Sequence, residues 1–268
     1  MCFKKWFSNP VPAIPIMPAK RRLITFGRNK YGGGSDLNGC VNDSLNLSNK
    51  GTGMYPDFDI RKILDYDVIA DRWMTEARNA IHTLSPGATV LILADSCYSG
   101  TVTRAGMGMG LLDIKHPTKN RFYNPGLPPR TIKKKVFSNE NMNHILMSGC
   151  AEHETSSDAY INGKYAGAFT FFAVMALETG MTYKEWFTEI RKYLPSKDFN
   201  QTPQLEGPEY LINRKVFEDE TLTIHNSSHG SYTYDKNGDE SDGQDEGLYF
   251  DRLLIDDEIS EILAGIPV

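Results

Sequence analysis

The sequence predicts an α/β fold in which a mostly parallel central sheet carries helices on both faces. Residues 90–94 are continuously apolar and include the β-branched Val90 and Ile92, a pattern typical of a strand buried on both faces. A helical stripe of apolar residues over 70–84 precedes this strand, and small and polar residues follow it at once. In open α/β sheets the carboxyl ends of the parallel strands carry the functional site, so we expect it there.

The other elements follow in chain order from the same two periodicities, alternation for strands and a repeat of 3.6 residues for helices. The expected strands are 21–27, 58–64, 89–95, 144–150, 210–217 and 221–226. The expected helices are 70–84, 167–177, 183–194 and 256–263. Residues 227–231 are expected to form a loop after the last strand.

Composition excludes several classes of function. The chain has 268 residues, 40% of them hydrophobic and 24% charged, and a formal net charge of −5. Its isoelectric point of about 5.7 argues against a nucleic-acid-binding protein, which would carry a basic patch. Four cysteines lie far apart without a C-x-x-C pair, so neither a disulfide framework nor a zinc site is expected. The sequence has no signal-peptide pattern and no apolar run long enough to span a membrane, which predicts a cytoplasmic protein.

Two regions differ from the rest of the chain in composition. Residues 1–20 include four prolines between positions 9 and 18, which predicts an extended N-terminal segment outside the core. Residues 21–268 are expected to form a single domain. Within it, 101–143 is a long basic stretch without clear periodicity, typical of a functional or mobile loop.

Cys97 is the candidate nucleophile. It lies at the carboxyl end of the buried strand, after Asp95 and Ser96 and before Tyr98-Ser99-Gly100. A buried structural thiol is the alternative, since free cysteine is among the most buried residue types. A packed core cysteine needs neither the adjacent acid nor the small neighbours.

His229 is the candidate base. Among six histidines it alone lies between a Ser-Ser pair and a glycine directly after a buried-type strand. A histidine close to a cysteine in space can take the thiol proton. The backbone N–H groups of Gly230 and Cys97 could together form an oxyanion hole, and a solvated loop histidine is the alternative.

These two motifs, Asp95-Ser-Cys97-Tyr-Ser-Gly and Ser228-His229-Gly, resemble those of the caspase-like peptidases, particularly the metacaspases and their bacterial relatives. Further similar stretches bring the resemblance to about 21–268; they are 37–43, 148–160 and 201–208. The resemblance implies a caspase-like three-layer sandwich and a cysteine endopeptidase. It further implies that Cys97 is the nucleophile and His229 the general base and acid. A catalytically inactive caspase-like module used for protein binding is the rival hypothesis.

The resemblance also implies a pocket for a basic side chain, formed by Asp95 and Asp43 and lined by Cys40 and Ser227. Two carboxylates at its base would favour Arg or Lys before the cut bond, because an unpaired buried charge is costly. The expected partners are therefore protein or peptide substrates with basic residues. Asp43 could also cap the following helix, and the two roles are compatible.

No cofactor is expected to be required, but Ca²⁺ is a candidate ligand. The acidic run 235–246 has oxygen-bearing side chains at alternating positions, although Glu240 stands where an EF-hand loop needs glycine. Calcium-activated metacaspases use aspartates near this region, which by resemblance implies Asp256 and Asp257 as metal ligands. Those relatives also use an acid shortly after the nucleophile, where this chain has Thr103-Arg104.

The order of the motifs departs from the resemblance. In the family the histidine segment precedes the cysteine strand, whereas here 219–268 comes last, which indicates a transposed segment. We therefore expect the strand 221–226 to lie between 22–27 and the cysteine strand, with 210–217 antiparallel at the sheet edge. If the linker cannot reach, a neighbouring molecule could supply the segment, so the alternatives are a monomer and a swapped dimer.

A peptidase of this specificity could also cut its own basic loop. The stretch Lys133–Lys135 is the expected site within 101–143.

Overall fold

The computed structural model describes residues 21–97, 117–127, 139–151, 154–236 and 244–267. The N-terminal extension, most of the predicted basic loop with Lys133–Lys135, and the centre of the acidic run lie outside the described residues. No helix among those described is long and apolar enough to cross a membrane.

Twelve strands and six α-helices are present in the described part of the chain. The strands are β1 Arg21–Gly27, β2 Asp59–Leu64, β3 Thr89–Asp95, β4 Lys119–Asn120, β5 Ile145–Ser148, β6 Ser157–Ile161, β7 Lys164–Gly167, β8 Gln204–Glu206, β9 Thr221–Ser227, β10 His229–Tyr234, β11 Gln244–Tyr249 and β12 Leu253–Ile255. The helices are α1 Cys40–Met54, α2 Ala70–Ile81, α3 Ala168–Ala176, α4 Tyr183–Ile190, α5 Glu209–Ile212 and α6 Asp256–Leu263.

A six-stranded sheet in the order β2-β1-β9-β3-β5-β8 forms the centre of the fold. All neighbouring strands in it are parallel except β8, which runs antiparallel to β5. The strand β9 comes late in the chain yet lies between β1 and β3, with Thr221 paired to both Arg21 and Thr89. The predicted place of residues 221–226 is therefore confirmed.

The same chain fills this central slot itself. The three-residue connection from Phe217 reaches the start of β9, where the carbonyl oxygen of Glu220 accepts a hydrogen bond from Thr89 N–H at 2.8 Å. The inner edges of β1 and β3 are thereby paired by a strand of the same chain.

Alternating side chains of the central strands divide the core into two layers. Leu91 and Leu93 point into one cluster, which α3, α4 and α5 cover. Val90 and Ile92 point into the other, which α2 and α6 cover. The alternation explains why β3 is buried at every position, and it gives the predicted three-layer sandwich with helices on both faces.

The predicted strand 210–217 is wrong. The structure has the short helix α5 there, followed by turns, and the antiparallel edge strand is β8, three residues long. Pro208 is the cap residue of α5, and proline favours the first turn of a helix because it has no N–H to leave unpaired. The edge strand is too short for its alternation to be visible in the sequence.

Two smaller antiparallel sheets complete the fold. One has the order β10-β11-β12 and the other β4-β6-β7. The expected loop 227–231 is wrong, because β9 extends through Ser227 and β10 begins at His229. The end of the acidic run 235–246 is a strand, since residues 244–246 belong to β11.

Candidate active site

The candidate residues meet where parallel strands of the central sheet end. Cys97 follows β3 by two residues, Ser227 ends β9, and His229 begins β10. Because β9 lies beside β3, the sheet brings residues 97 and 229 to one edge although 131 positions separate them. The placement follows the rule that open α/β sheets form their sites at this edge.

Gly230 lies directly against the backbone of Cys97. A Cβ atom at position 230 would overlap the carbonyl oxygen of Cys97, so a residue without a side chain is needed there. The backbone N–H groups of both residues donate to one oxygen, the carbonyl of Arg121, at 3.3 Å from Cys97 and 2.8 Å from Gly230. Two converging N–H donors are the arrangement that an oxyanion hole requires.

The imidazole of His229 is buried and held by one ring nitrogen. Its Nε2 lies 2.7 Å from the carbonyl oxygen of Ser35. A carbonyl only accepts, so Nε2 carries the proton, and in the neutral ring the lone pair is on Nδ1. Nδ1 is itself buried and has no hydrogen-bond partner among the residues that the structure describes. Burial lowers the pKa of His229, more than the carbonyls of Ser35 and Arg121 raise it, which favours the neutral base.

Tyr31 supports the histidine from the glycine-rich segment that follows β1. Its hydroxyl accepts the backbone N–H of His229 at 3.0 Å and donates to the carbonyl oxygen of Tyr249 at 3.2 Å. The Tyr31 and His229 rings pack edge to face, with centroids 4.5 Å apart. This packing restricts the orientation of the imidazole.

The thiol of Cys97 is also buried. Its Sγ accepts the backbone N–H of Ser156 at 3.0 Å and lies 3.8 Å from the Ser156 carbonyl oxygen. Ser156 directly precedes β6, so these contacts place the thiol next to the β4-β6-β7 sheet.

A pocket of three carboxylates lies beside the thiol, and the guanidinium of Arg121 fills it. Asp43, Asp95, Asp158 and Arg121 all have 0% of their surface exposed. Arg121 Nη2 lies 2.6 Å from Asp43 Oδ2 and 3.2 Å from Asp158 Oδ1, and Nη1 lies 3.4 Å from Asp95 Oδ2. Nη1 also donates to the carbonyl oxygen of Asp95 at 2.9 Å.

Ser227 and Cys40 lie next to the same guanidinium. The Ser227 hydroxyl accepts from Arg121 Nη1 at 2.6 Å and donates to Asp43 Oδ2 at 2.8 Å. Cys40 begins α1 and is fully buried, and burial raises the pKa of its thiol. The structure therefore brings together all four residues that the sequence analysis assigned to a basic-residue pocket.

Asp43 does not cap a helix, which corrects the alternative interpretation. It lies inside α1, whose N-cap is Gly39, and its carboxylate accepts the N–H of Gly167 at 2.9 Å. A Cβ at Gly167 would overlap the Asp95 carboxylate and lie 2.6 Å from Arg121 Nη1, so the pocket wall requires glycine there.

Charge in the pocket is unbalanced. Three carboxylates face one guanidinium, and burial raises the pKa of Asp43 to about 7 although Arg121 lowers it. Burial lowers the pKa of Arg121, but the carboxylates together raise it by more, so the guanidinium stays charged. The pocket thus favours a cation over a neutral or acidic side chain.

His225 is connected to the pocket through the hydroxyl of Thr170. It is buried in β9, with Nδ1 2.7 Å from the hydroxyl of Thr25 and Nε2 3.3 Å from that of Thr170. Thr170 also donates its hydroxyl to Asp95 Oδ2 at 2.7 Å. Burial lowers the pKa of His225 to about 4. Its environment therefore differs from that of His229.

The structure places Asp256 and Asp257 in the first turn of α6, and this helix packs against β11 and β12. Within the described ranges, no group of three or more His, Cys, Asp or Glu side chains could hold a metal ion. The acidic positions 237–243 lie outside the described ranges.

Sequence reasoning missed several residues of the site, above all Arg121 and Asp158. Asp158 belongs to the quoted stretch 148–160 but had no role assigned from the sequence. Arg121 is one of many basic residues in the loop, and no local pattern distinguishes it. Ser156 and Tyr31 act through backbone and hydroxyl contacts that only the fold creates.

Comparison with known protein families is consistent with this geometry. Residues 67–210, more than half of the chain, match the family described as the caspase domain. The match includes Cys97 and Asp158 and ends before β9, so it does not extend to His229.

Fungal metacaspases are among the similar curated proteins. Metacaspase-1 of Mycosarcoma maydis is 27% identical in an alignment of length 159 that covers 47% of this chain and 39% of that protein. Metacaspase-1 of Lodderomyces elongisporus is 27% identical in an alignment of length 163 that covers 47% of this chain and 35% of that protein. The alignments thus span less than half the length of these relatives.

A solved structure shares the fold. The crystal structure of protein GSU0716 from Geobacter sulfurreducens has a TM-score of 0.53 and 17% sequence identity, and the alignment covers 75% of this chain and 99% of that one. At this identity the likeness concerns the fold alone.

Proposed function

Because the chain belongs to the caspase domain family, a family of cysteine peptidases, we propose that it is an endopeptidase that cuts after Arg or Lys through Cys97 and His229. The observation that carries the proposal is the acidic pocket with a guanidinium inside it, next to two N–H donors that share one carbonyl oxygen. Protein substrates with basic residues follow from this pocket. A cytoplasmic location and a response to calcium stay predictions from the sequence.

In the proposed reaction, the neutral His229 takes the proton of the Cys97 thiol at Nδ1. The thiolate attacks the carbonyl carbon of the residue whose side chain fills the pocket, and the N–H groups of Cys97 and Gly230 stabilise the oxyanion. His229 then donates its proton to the leaving amine. Water hydrolyses the resulting thioester with the same imidazole as base.

Specificity comes from the charge of the pocket. A substrate Arg can form the contacts that Asp43, Asp158 and Ser227 make with a guanidinium. An Asp side chain would bring a fourth carboxylate into a buried cluster of three, and like charges at this distance are strongly unfavourable in a buried site. A Lys ammonium would be paired too, although without the bidentate geometry of Arg.

The test compares fluorogenic peptides with Arg, Lys or Asp before the cut bond. We expect cleavage of the first two and none of the third, and we expect Cys97→Ala to abolish it because the attacking atom is gone. Cys150→Ala is the matched control, since Cys150 is also buried but its thiol faces the carbonyl oxygens of Ser96 and Glu154. Equal activity in wild type and Cys97→Ala would refute Cys97 as the nucleophile, and no activity in a folded protein even with Arg121→Gln would favour the inactive binding module.

A further inference from the structure

The candidate active site continues beyond the acidic pocket along β10, which pairs with β11. We propose that the rings of Tyr232 and Tyr249 bind aromatic side chains at the first and second positions after the cut bond. The favoured substrates are peptides in which two aromatic residues directly follow Arg or Lys. This inference rests on the proposed function and adds a substrate class to the same site.

The course of residues 121–123 shows how an extended peptide lies in this site. The guanidinium of Arg121 is in the acidic pocket, and its carbonyl oxygen accepts the two N–H donors of the oxyanion hole. In the proposed reaction a substrate residue before the cut bond needs the same two contacts. The next two residues, Phe122 and Tyr123, therefore mark the places of the first two residues after that bond.

Main-chain contacts fix this course after Arg121. Phe122 forms a parallel bridge with Gly230, and Tyr123 N–H donates to the Gly230 carbonyl oxygen at 2.9 Å. The Ser231 hydroxyl donates to the Tyr123 carbonyl oxygen at 2.8 Å. These contacts use only peptide groups of the segment, so an extended peptide of another sequence can make them, with its side chains in the same directions.

Two tyrosine rings of the small sheet contact the side chains of these two residues. The Phe122 ring stacks on Tyr232, with centroids 5.9 Å apart and an angle of 23° between the planes. The Tyr123 ring stacks on Tyr249, with centroids 3.7 Å apart and an angle of 9°. Successive side chains of an extended segment point to opposite sides, which explains why they meet different rings. Stacked aromatic pairs stabilise a contact beyond the burial of their area.

The fold itself holds the Tyr249 ring in place. This ring stacks on Tyr31 with centroids 6.2 Å apart, and the Tyr31 hydroxyl donates to the Tyr249 carbonyl oxygen at 3.2 Å. Tyr31 also packs against the ring of His229, at 4.5 Å between centroids. One tyrosine thus orients both the proposed base and the aromatic surface. A surface that is ordered before binding loses little entropy when a ring binds to it.

The expected preference follows from the stacking alone. One aromatic pair corresponds to roughly a 2- to 12-fold gain in affinity beyond burial of the same area. A Leu side chain keeps most of the apolar contact and loses the stack, so each replacement in a peptide should weaken binding by about this factor. Replacing both should weaken it by about the product, roughly 4- to 140-fold, because the two side chains contact different rings.

The experiment measures the affinity of labelled peptides for an inactive full-length chain by fluorescence anisotropy. This parent carries Cys97→Ala, Arg121→Gln, Phe122→Ser and Tyr123→Ser, so the chain itself offers neither a guanidinium nor the two rings. The four peptides contain Arg followed by Phe-Tyr, Leu-Tyr, Phe-Leu or Leu-Leu. We expect the first to bind most tightly and the last most weakly, by the factors given above.

Variants of the parent identify which ring binds which side chain. Tyr249→Leu should weaken only the two peptides with Tyr in the second position, and Tyr232→Leu only the two with Phe in the first. Ser231→Ala should weaken all four by the same factor, because its hydroxyl contacts only the main chain. Tyr210→Leu is the control and should change none, since Tyr210 is 62% exposed on α5 and its ring packs against Arg214.

Three results would overturn the proposal. They are equal affinities for the four peptides, losses that do not pair each ring with its position, and no binding to a parent that thermal unfolding shows to be folded. If the parent does not fold, Cys97→Ala with Arg121→Gln replaces it, and the same order of affinities is expected.

Because the measurement is of binding, it separates this inference from the proposed function. The expected affinities without any hydrolysis by Arg121→Gln, which retains Cys97, would refute the peptidase and keep the aromatic surface. Hydrolysis of all four peptides together with equal affinities would refute the aromatic surface and keep the peptidase.

Discussion

Replacing Asp43 by Asn should remove the preference for Arg without unfolding the protein. The substitution keeps the shape of the side chain but loses a charge-assisted hydrogen bond, which in the structure joins Asp43 Oδ2 to a guanidinium nitrogen at 2.6 Å. Such a bond contributes about 2–3 kcal/mol, which is roughly a 30- to 150-fold loss in kcat/KM for an Arg peptide. A matched peptide with Gln in place of Arg should lose less than about threefold, since it never gained from the charge.

The assay uses Arg121→Gln as the parent, so that no internal guanidinium occupies the pocket. Removing one of three buried carboxylates should leave the free energy of unfolding of this parent unchanged or raise it, because the remaining charges repel less. Asp57→Asn is the control; its carboxylate pairs with Arg21 at the surface, and exposed pairs contribute little. An equal loss for the Arg and Gln peptides would refute the assignment of Asp43 to the side-chain pocket.

The same residue should give the selectivity a pH dependence. Burial raises the pKa of Asp43 to about 7 with Arg121 present, and without that cation it lies higher still. The ionised carboxylate attracts Arg, so the ratio of kcat/KM for the Arg peptide to that for the Gln peptide should rise as pH increases through 7 and above. Taking the ratio cancels the pH dependence of the chemical step, which the two peptides share. In Asp43→Asn the ratio should not change with pH.

Two further predictions concern the oxyanion donors and the buried histidine. Gly230→Ala should lower kcat by about 10²- to 10³-fold, because the added Cβ displaces an N–H donor of the oxyanion hole. The control Gly53→Ala, in open space on α1, should retain full activity. Equal activities of the two variants would show that Gly230 is not part of the site. His225 has its pKa lowered to about 4, so its unfolded form binds more protons below pH 6.5. The contribution of the neutral His225 to the free energy of unfolding is complete above that pH and should fall by about 2 kcal/mol by pH 5. Urea unfolding should show this loss in wild type and not in His225→Gln.

Local sequence patterns were sufficient to predict most of the fold. The apolar run of β3 and the helical stripe of α2 need no distant partner to be recognised, since burial on both faces or on one stripe leaves a periodic signal. The motifs around Cys97 and His229 carried the family resemblance in the same way. The place of β9 was predicted through the resemblance, since inserting 219–268 ahead of the cysteine strand restores the family order of the motifs. Its buried-type pattern agrees with a strand that has a neighbour on each side.

Elements whose signal is short or non-local could not be predicted. The edge strand β8 has three residues, too few for an alternation, and α5 has a single turn that begins at a proline. Asp43, Asp95 and Ser227 were assigned to one pocket through the resemblance, but their contacts depend on three different strand and helix ends that meet only in the folded chain.

Arg121 shows most clearly what tertiary structure alone decided. In the sequence it is one basic residue in a loop, with the same local features as its neighbours. In the fold its carbonyl oxygen lies between the N–H groups of residues 97 and 230, and its side chain between the carboxylates of residues 43, 95 and 158. The sequence by itself determined which reactive groups the protein has. Long-range strand pairing decided which part of the chain these groups face, because a binding site for a charged side chain forms only when distant residues converge.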